Sequence, residues 1–69
     1  MVTFTNQNGI IYSINGPVVK AKNCAGFKMH DRVYVGENGL IGEVIAMEDD
    51  YAVIQVYEST EGVKTGEPV

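Results

Sequence analysis

The fold is decided by residues 40–57, which read LIGEVIAMEDDYAVIQVY. Two runs rich in Val, Ile and Tyr flank the polar triplet Glu48-Asp49-Asp50, a pattern typical of two β-strands joined by a tight turn. In the second run, Ala52, Ile54 and Val56 fall on alternate positions, so we predict that this face points into the core. The hairpin therefore favours an all-β fold.

The first run of this hairpin carries apolar residues on both faces. We predict a strand over Leu40–Met47, with the even positions on one face and the odd positions on the other. The even face holds Leu40, Gly42, Val44 and Ala46, and the odd face holds Ile41, Glu43, Ile45 and Met47. Because neither face is purely polar, we expect this strand to be covered on much of both sides.

Further short strands are predicted along the rest of the chain, at Gly9–Asn15, Val18–Lys22 and within Met29–Val35. Asn15-Gly16-Pro17 indicates a tight turn, and Asn38-Gly39 favours a type I′ hairpin turn. No window has the apolar spacing of a helix. About five or six short strands in 69 residues predict a small closed or nearly closed β-barrel, because closure removes exposed sheet edges.

Composition limits the classes of function. The net charge of −4, with five basic residues in all, disfavours binding to a phosphate backbone. No apolar run approaches the length of a membrane helix, and Met1–Phe4 lacks the pattern of a signal peptide. The lone Cys24 fits a reduced, cytosolic setting, and with the lone His30 it is too little for a structural zinc site.

Residues that could carry chemistry are few. Cys24 could act as a nucleophile with His30 and Asp31 as a base, but we interpret the cysteine as an inert packed thiol and the histidine as a loop residue. The run Glu48–Asp50 could bind a hard cation, but adjacent acids at a hairpin tip favour a solvated turn. The chain has no Gly-Lys-Ser/Thr, so we expect no phosphate-binding loop, no metal and no cofactor in it.

Four segments resemble a known family. Ile14–Val19 (INGPVV), Val35–Ile45 (VGENGLIGEVI), Ala52–Val63 (AVIQVYESTEGV) and Gly66–Val69 (GEPV) are similar, in the same order, to the start of the catalytic A subunit of archaeal- and vacuolar-type rotary ATPases. The resemblance is weakest over residues 22–30. It implies that residues 1–69 are an N-terminal β-barrel domain, a fragment of a longer subunit whose nucleotide-binding domain is absent here.

The resemblance implies a role in assembly rather than in catalysis. In this family the barrels of the A and B head subunits pack side by side, while ATP and Mg²⁺ bind further along the subunit, which couples ATP hydrolysis or synthesis to proton or sodium-ion transport. The fragment is then not an enzyme and is cytoplasmic, at the periphery of a membrane-bound complex that it does not reach directly. The expected subunit-contact residues are Leu40, Ile41, Glu43, Ile45, Tyr51 and Tyr57.

One alternative stays open from the residues alone. Small barrels with glycine-rich turns also occur as free-standing modules that bind protein or nucleic acid. The acidic charge disfavours nucleic acid as the ligand, whereas tyrosines on the outer face would suit contact with a neighbouring protein.

Overall fold

A computed structural model describes residues 9–69, which form five β-strands and no helix. The strands are β1 (Ile10–Asn15), β2 (Val18–Lys22), β3 (Arg32–Val35), β4 (Leu40–Glu48) and β5 (Tyr51–Val56). The predicted all-β class is therefore confirmed, as are the positions of the strands. Residues 1–8 of the predicted domain, and with them the Met1–Phe4 segment, lie outside the described residues.

The strands form one antiparallel sheet in the order β1-β2-β5-β4-β3. The predicted hairpin lies at its centre, where Glu48 pairs with Tyr51 across the two-residue turn Asp49-Asp50. Asp49 has a φ of 56°, a left-handed conformation that Asp tolerates better than most residues. The short connections explain why consecutive strands lie side by side in three of the pairings.

The C-terminal segment nearly closes this sheet into a barrel. At the β1 edge, the amide of Ile11 donates to the carbonyl of Glu67 over 3.0 Å, and Ile10 pairs with Pro68. Just after β3, the amide of Gly36 donates to the carbonyl of Pro68 over 2.8 Å. The segment from Glu67 to Pro68 thus lies between the two edge strands, as expected for a nearly closed small barrel.

The core is built from the inward faces of all five strands. Its buried members are all apolar side chains: Ile11, Val19, Ala21, Cys24, Val33, Val35, Val44, Ala52, Ile54, Val56 and Val69. The predicted inward face of β5 is among them, so that prediction is confirmed. Because burial of apolar surface is the main favourable contribution to folding, this cluster carries the stability of the domain.

One turn agrees with the prediction made from the sequence, and another differs from it. Gly16 and Pro17 connect β1 to β2, and Gly16 has a φ of 61°, which suits a turn with a positive φ at its first central position. The prediction of a type I′ turn at Asn38-Gly39 is wrong. Val35 pairs with Leu40, so the connection has four residues, and the positive φ values fall at Gly36 and Gly39.

The predicted faces of β4 are correct only for its first half. Val44 pairs with Ile54, but the next pairing joins Ala46 to Val53, so Ile45 is an extra residue that forms a bulge. Beyond the bulge the faces are exchanged: Ala46 is exposed, and Met47 packs against the core. Strict alternation from Leu40 therefore placed these last two side chains on the wrong sides.

Candidate interaction surface

The six predicted contact residues do not form one continuous patch. Ile41, Glu43 and Tyr57 lie at one end of the β4–β5 hairpin, Tyr51 at the other, and Ile45 at the bulge between them. The stretch from Tyr51 to Tyr57 spans roughly 20 Å at the usual rise of a strand. Leu40 is half-buried and packs against the core. Their contact with another chain stays a prediction.

The three residues at the first end of the hairpin continue onto β3 at Tyr34. Together these four residues form what we call the Tyr57 patch, defined as Tyr34, Ile41, Glu43 and Tyr57. Tyr34 lies opposite Ile41 in the β3–β4 ladder, and the Tyr57 amide donates to the Ile41 carbonyl over 3.0 Å. The two tyrosines are each 60% exposed. Large aromatic side chains of this exposure, one on β3 and one just after β5, suit a protein interface.

Glu43 organises the polar part of this patch. Its carboxylate accepts a 2.6 Å hydrogen bond from the Tyr57 hydroxyl and lies 3.0 Å from His30 Nδ1. The hydrogen bond from Tyr57, followed by the bond to His30, lowers the pKa of Glu43. The same bond to Glu43 raises the pKa of Tyr57, because ionising the phenol would remove the donor and set two negative charges side by side.

At the other end of the hairpin lies a shallow groove of about 640 Å³, which we call the Tyr51 groove. Its lining residues are Tyr12, Lys20, Ala46, Met47, Glu48, Asp49, Tyr51 and Val53. The rings of Tyr12 and Tyr51 meet edge to face, with centroids 5.6 Å apart and planes at 88°. Both tyrosines remain 45% exposed, so the pair presents aromatic surface to solvent.

Tyr12 was not among the predicted contact residues, although it lines the same groove as Tyr51. In β1 the inward residues Ile11 and Ile14 are three positions apart, which strict alternation does not allow. The pairing shifts between Ile11 and Ser13, so Tyr12 lies at a bulge and projects outward beside Tyr51. Because Ile10, Tyr12 and Ile14 themselves alternate in the sequence, the sequence carries no signal for this bulge.

Cys24, the candidate nucleophile, and His30, its candidate base, are not brought together. Cys24 is buried in the core, where its Sγ lies 3.4 Å from the Lys22 carbonyl oxygen. Burial, and then the nearby charge of Asp50, raises the pKa of the thiol, which disfavours the nucleophilic thiolate. The side chain of His30 is exposed and bonds instead to Glu43.

The acidic run keeps the geometry of a hairpin tip. Asp49 and Asp50 form the turn, and the Asp50 carbonyl accepts a 2.7 Å hydrogen bond from the Cys24 amide. Within residues 9–69, no three or more His, Cys, Asp or Glu residues are grouped so that they could hold a metal ion. Over the same range, the chain forms no helix with the length and hydropathy that a membrane span requires.

Comparison with known proteins gives concordant matches in sequence and structure. The chain is 54% identical over 63 residues to an A subunit of the A-type ATP synthase of Methanospirillum hungatei, covering 91% of this chain and 11% of that protein. It is 53% identical over 64 residues to the catalytic A subunit of the V-type proton ATPase of Eremothecium gossypii, covering 93% of this chain and 10% of that protein. It therefore spans about a tenth of the length of these relatives.

A solved structure shares the fold. The assembled ATPase EscN, solved in complex with its central stalk EscO from the type III secretion system of enteropathogenic E. coli, superposes with a TM-score of 0.78 at 23% identity. The match covers 87% of this chain and 15% of that one. Residues 11–69 also match the family model described as the ATP synthase alpha/beta family, beta-barrel domain. The chain belongs to the ATP synthase alpha/beta family, as its β-barrel domain, and is related to the A subunits of V-type and A-type ATP synthases.

Proposed function

We propose that this barrel is a non-catalytic assembly domain of the catalytic A subunit of a V/A-type, proton- or sodium-translocating ATPase. Its outer face packs beside the barrels of neighbouring A and B head subunits. The observation that carries this proposal is the identity above 50% to catalytic A subunits along nearly the whole barrel. In this proposal the domain is cytoplasmic, at the periphery of a membrane-bound complex.

The chemistry of the described residues agrees with a role in binding protein rather than in turning over a substrate. Cys24 is buried and protonation of its thiol is favoured, while His30 lies apart from it on Glu43. The exposed apolar surface is instead concentrated in tyrosines on the outside of the sheet. In the proposed subunit, ATP and Mg²⁺ bind outside this barrel, and no residue of this chain contacts them.

The Tyr57 patch is the first surface to test. In a head subunit that carries this barrel, Glu43→Lys places an ammonium where a carboxylate accepts from Tyr57, and a lysine cannot accept a hydrogen bond. We expect weaker assembly of the head, measured by native mass spectrometry of the reconstituted complex. Glu61→Lys is the matched control, because it makes the same change of charge at an exposed acid outside the hairpin.

Circular dichroism of the variant barrels separates assembly from folding. If both variants are folded and both heads assemble as well as the parent, the Tyr57 patch is not part of the interface. If Glu43→Lys alone impairs assembly while its barrel stays folded, the patch belongs to the interface.

A further inference from the structure

We infer that the Tyr51 groove is the docking site for a cationic side chain, foremost an arginine, presented by a neighbouring head subunit. The inference rests on the proposed function for the identity of the partner, and it adds the chemistry of the contact. Its support comes from the floor, the wall and the charges of the groove.

The floor of the groove is apolar and open. Val53 of β5 lies between Lys20 of β2 and Ala46 of β4 in the ladder, and Ala46 is exposed because the bulge at Ile45 exchanges the faces of the strand. Ile45 itself is 39% exposed beside it. A flat apolar floor accepts the methylene stem of a long side chain, which is the part of Arg and Lys that packs on apolar surface.

The wall of the groove is aromatic, and its two rings are in contact. Because Tyr12 meets Tyr51 edge to face, each ring limits the rotation of the other. The exposed part of each ring remains available to a guest from solvent. The negative face of an aromatic ring attracts a guanidinium or an ammonium, and arginine is the commoner partner.

The charges at the end of the groove select a cation over an anion. Among the described residues, Glu48 and Asp49 line it, against the single ammonium of Lys20. Asp50 adds a third carboxylate at the same hairpin tip, and the whole chain carries a net charge of −4. A guanidinium lying on the floor can therefore contact the aromatic wall and the acidic end together, whereas a carboxylate guest would find Lys20 alone in this part of the described chain.

The occupant is a side chain of a different protein rather than a second copy of this chain. In a two-fold dimer through this groove, the two copies would bring acidic hairpin tips of the same sign together, which is unfavourable at low ionic strength. A volume of about 640 Å³ exceeds that of a single guanidinium, so the groove has room for the residues beside the arginine as well.

The test uses the 69-residue chain and a defined probe. The ¹⁵N-labelled protein is titrated with acetyl-Gly-Arg-Gly-amide and, separately, with acetyl-Gly-Glu-Gly-amide at low salt. We expect saturable shifts for the arginine peptide at Tyr12, Ala46, Asp49, Tyr51 and Val53, with a midpoint of roughly tens of millimolar. The glutamate peptide should leave these resonances unchanged.

Two variants at opposite ends of β5 give the matched comparison. Tyr51→Leu removes the aromatic wall and should raise the midpoint at least about threefold, whereas Tyr57→Leu, at a more exposed tyrosine outside the groove, should not change it. Equal shifts with both peptides, equal shifts at the Tyr57 patch, or an unchanged midpoint in Tyr51→Leu would overturn the inference. Because the peptide titration requires no assembled head, such a result does not decide the proposed function, which the assembly experiment with Glu43→Lys tests.

Discussion

At the scale of single residues, Glu43 is the most informative side chain on the outer face. The sequence placed it among the contact residues, but its two oxygens are already engaged within the barrel by Tyr57 and His30. Because these bonds favour the ionised carboxylate, the pKa of Glu43 lies below its ordinary value of 4.5. A partner that meets Glu43 therefore meets an ordered, charged acceptor at neutral pH.

We predict that Tyr57→Phe raises the pKa of Glu43 more than His30→Ala does, because the bond from Tyr57 is the larger cause of the depression. The carboxyl ¹³C resonance of Glu43, followed through a pH titration, measures both changes. An unchanged pKa in Tyr57→Phe would mean that the hydroxyl does not donate to Glu43 in solution.

The same pair predicts a pH window for the stability of this patch. A carboxyl group whose pKa is lowered by folding stabilises the fold above its unfolded pKa, and this contribution is lost as the pH falls through the folded pKa. A phenol whose pKa is raised stabilises the fold below its ordinary value of 10.0, and this contribution is lost as the pH rises through the higher folded value. Urea unfolding of the parent and of Tyr57→Phe measures the difference between their free energies of unfolding. This difference should shrink at both low and high pH, and a difference that stays constant with pH would contradict the prediction.

Gly42 gives a third prediction at this scale. A Cβ at this position would lie 2.8 Å from Ile54 Cγ2 and 2.9 Å from the Gln55 carbonyl oxygen, and the backbone atom cannot move aside. Gly42→Ala should therefore lower the free energy of unfolding by about 1–3 kcal/mol in chemical denaturation. Gly26→Ala is the control, because nothing lies within 4 Å of the added carbon and its φ is not in the left-handed range. Equal stabilities of the two variants would argue against the tight packing of β4 on β5.

At the scale of elements, the bulge at Ile45 determines which side chains of β4 face solvent. We predict that Met47→Ser lowers the free energy of unfolding by about 1–2 kcal/mol, because Met47 packs against the core. Ala46→Ser should change it by less than about 0.5 kcal/mol, because this position is exposed. Without the bulge, Ala46 would face the core and Met47 would face solvent, so Ala46→Ser would be the more destabilising change. Urea denaturation of the two variants therefore distinguishes the bulged register from a regular one.

The bulges also mark the limit of what could be predicted from the sequence. Val, Ile and Tyr runs between turn residues located all five strands, because the chemistry of strands and turns is local. The exchange of faces at Ile45, and the outward position of Tyr12, depend on where a strand carries one extra residue opposite its partner strand, and strict alternation carries no trace of that position. The Tyr51 groove went unpredicted for this reason, since its wall and floor both adjoin a bulge.

At the scale of the whole molecule, the barrel depends on the segment that lies between β1 and β3. The carboxylate of Glu67 accepts hydrogen bonds from the amides of Glu37 over 3.0 Å and Lys64 over 3.2 Å, so it ties the segment to the β3–β4 turn. The neighbouring backbone bonds from Ile11 and Gly36 then join the segment to both edge strands. This makes Glu67 the side chain on which closure depends most directly.

We predict that Glu67→Ala lowers the free energy of unfolding by about 1 kcal/mol, because two amides lose a charged acceptor that is partly shielded from solvent. The amides of Ile11 and Gly36 should exchange with deuterium about fivefold faster, while the amide of Ile54 in the central strand keeps its rate. Glu61→Ala, at an exposed acid earlier in the same C-terminal stretch, should leave all three rates unchanged. Faster exchange at Ile54 to the same degree would mean that the segment and the central hairpin open as one unit, and unchanged exchange at Ile11 and Gly36 would mean that closure does not depend on the carboxylate.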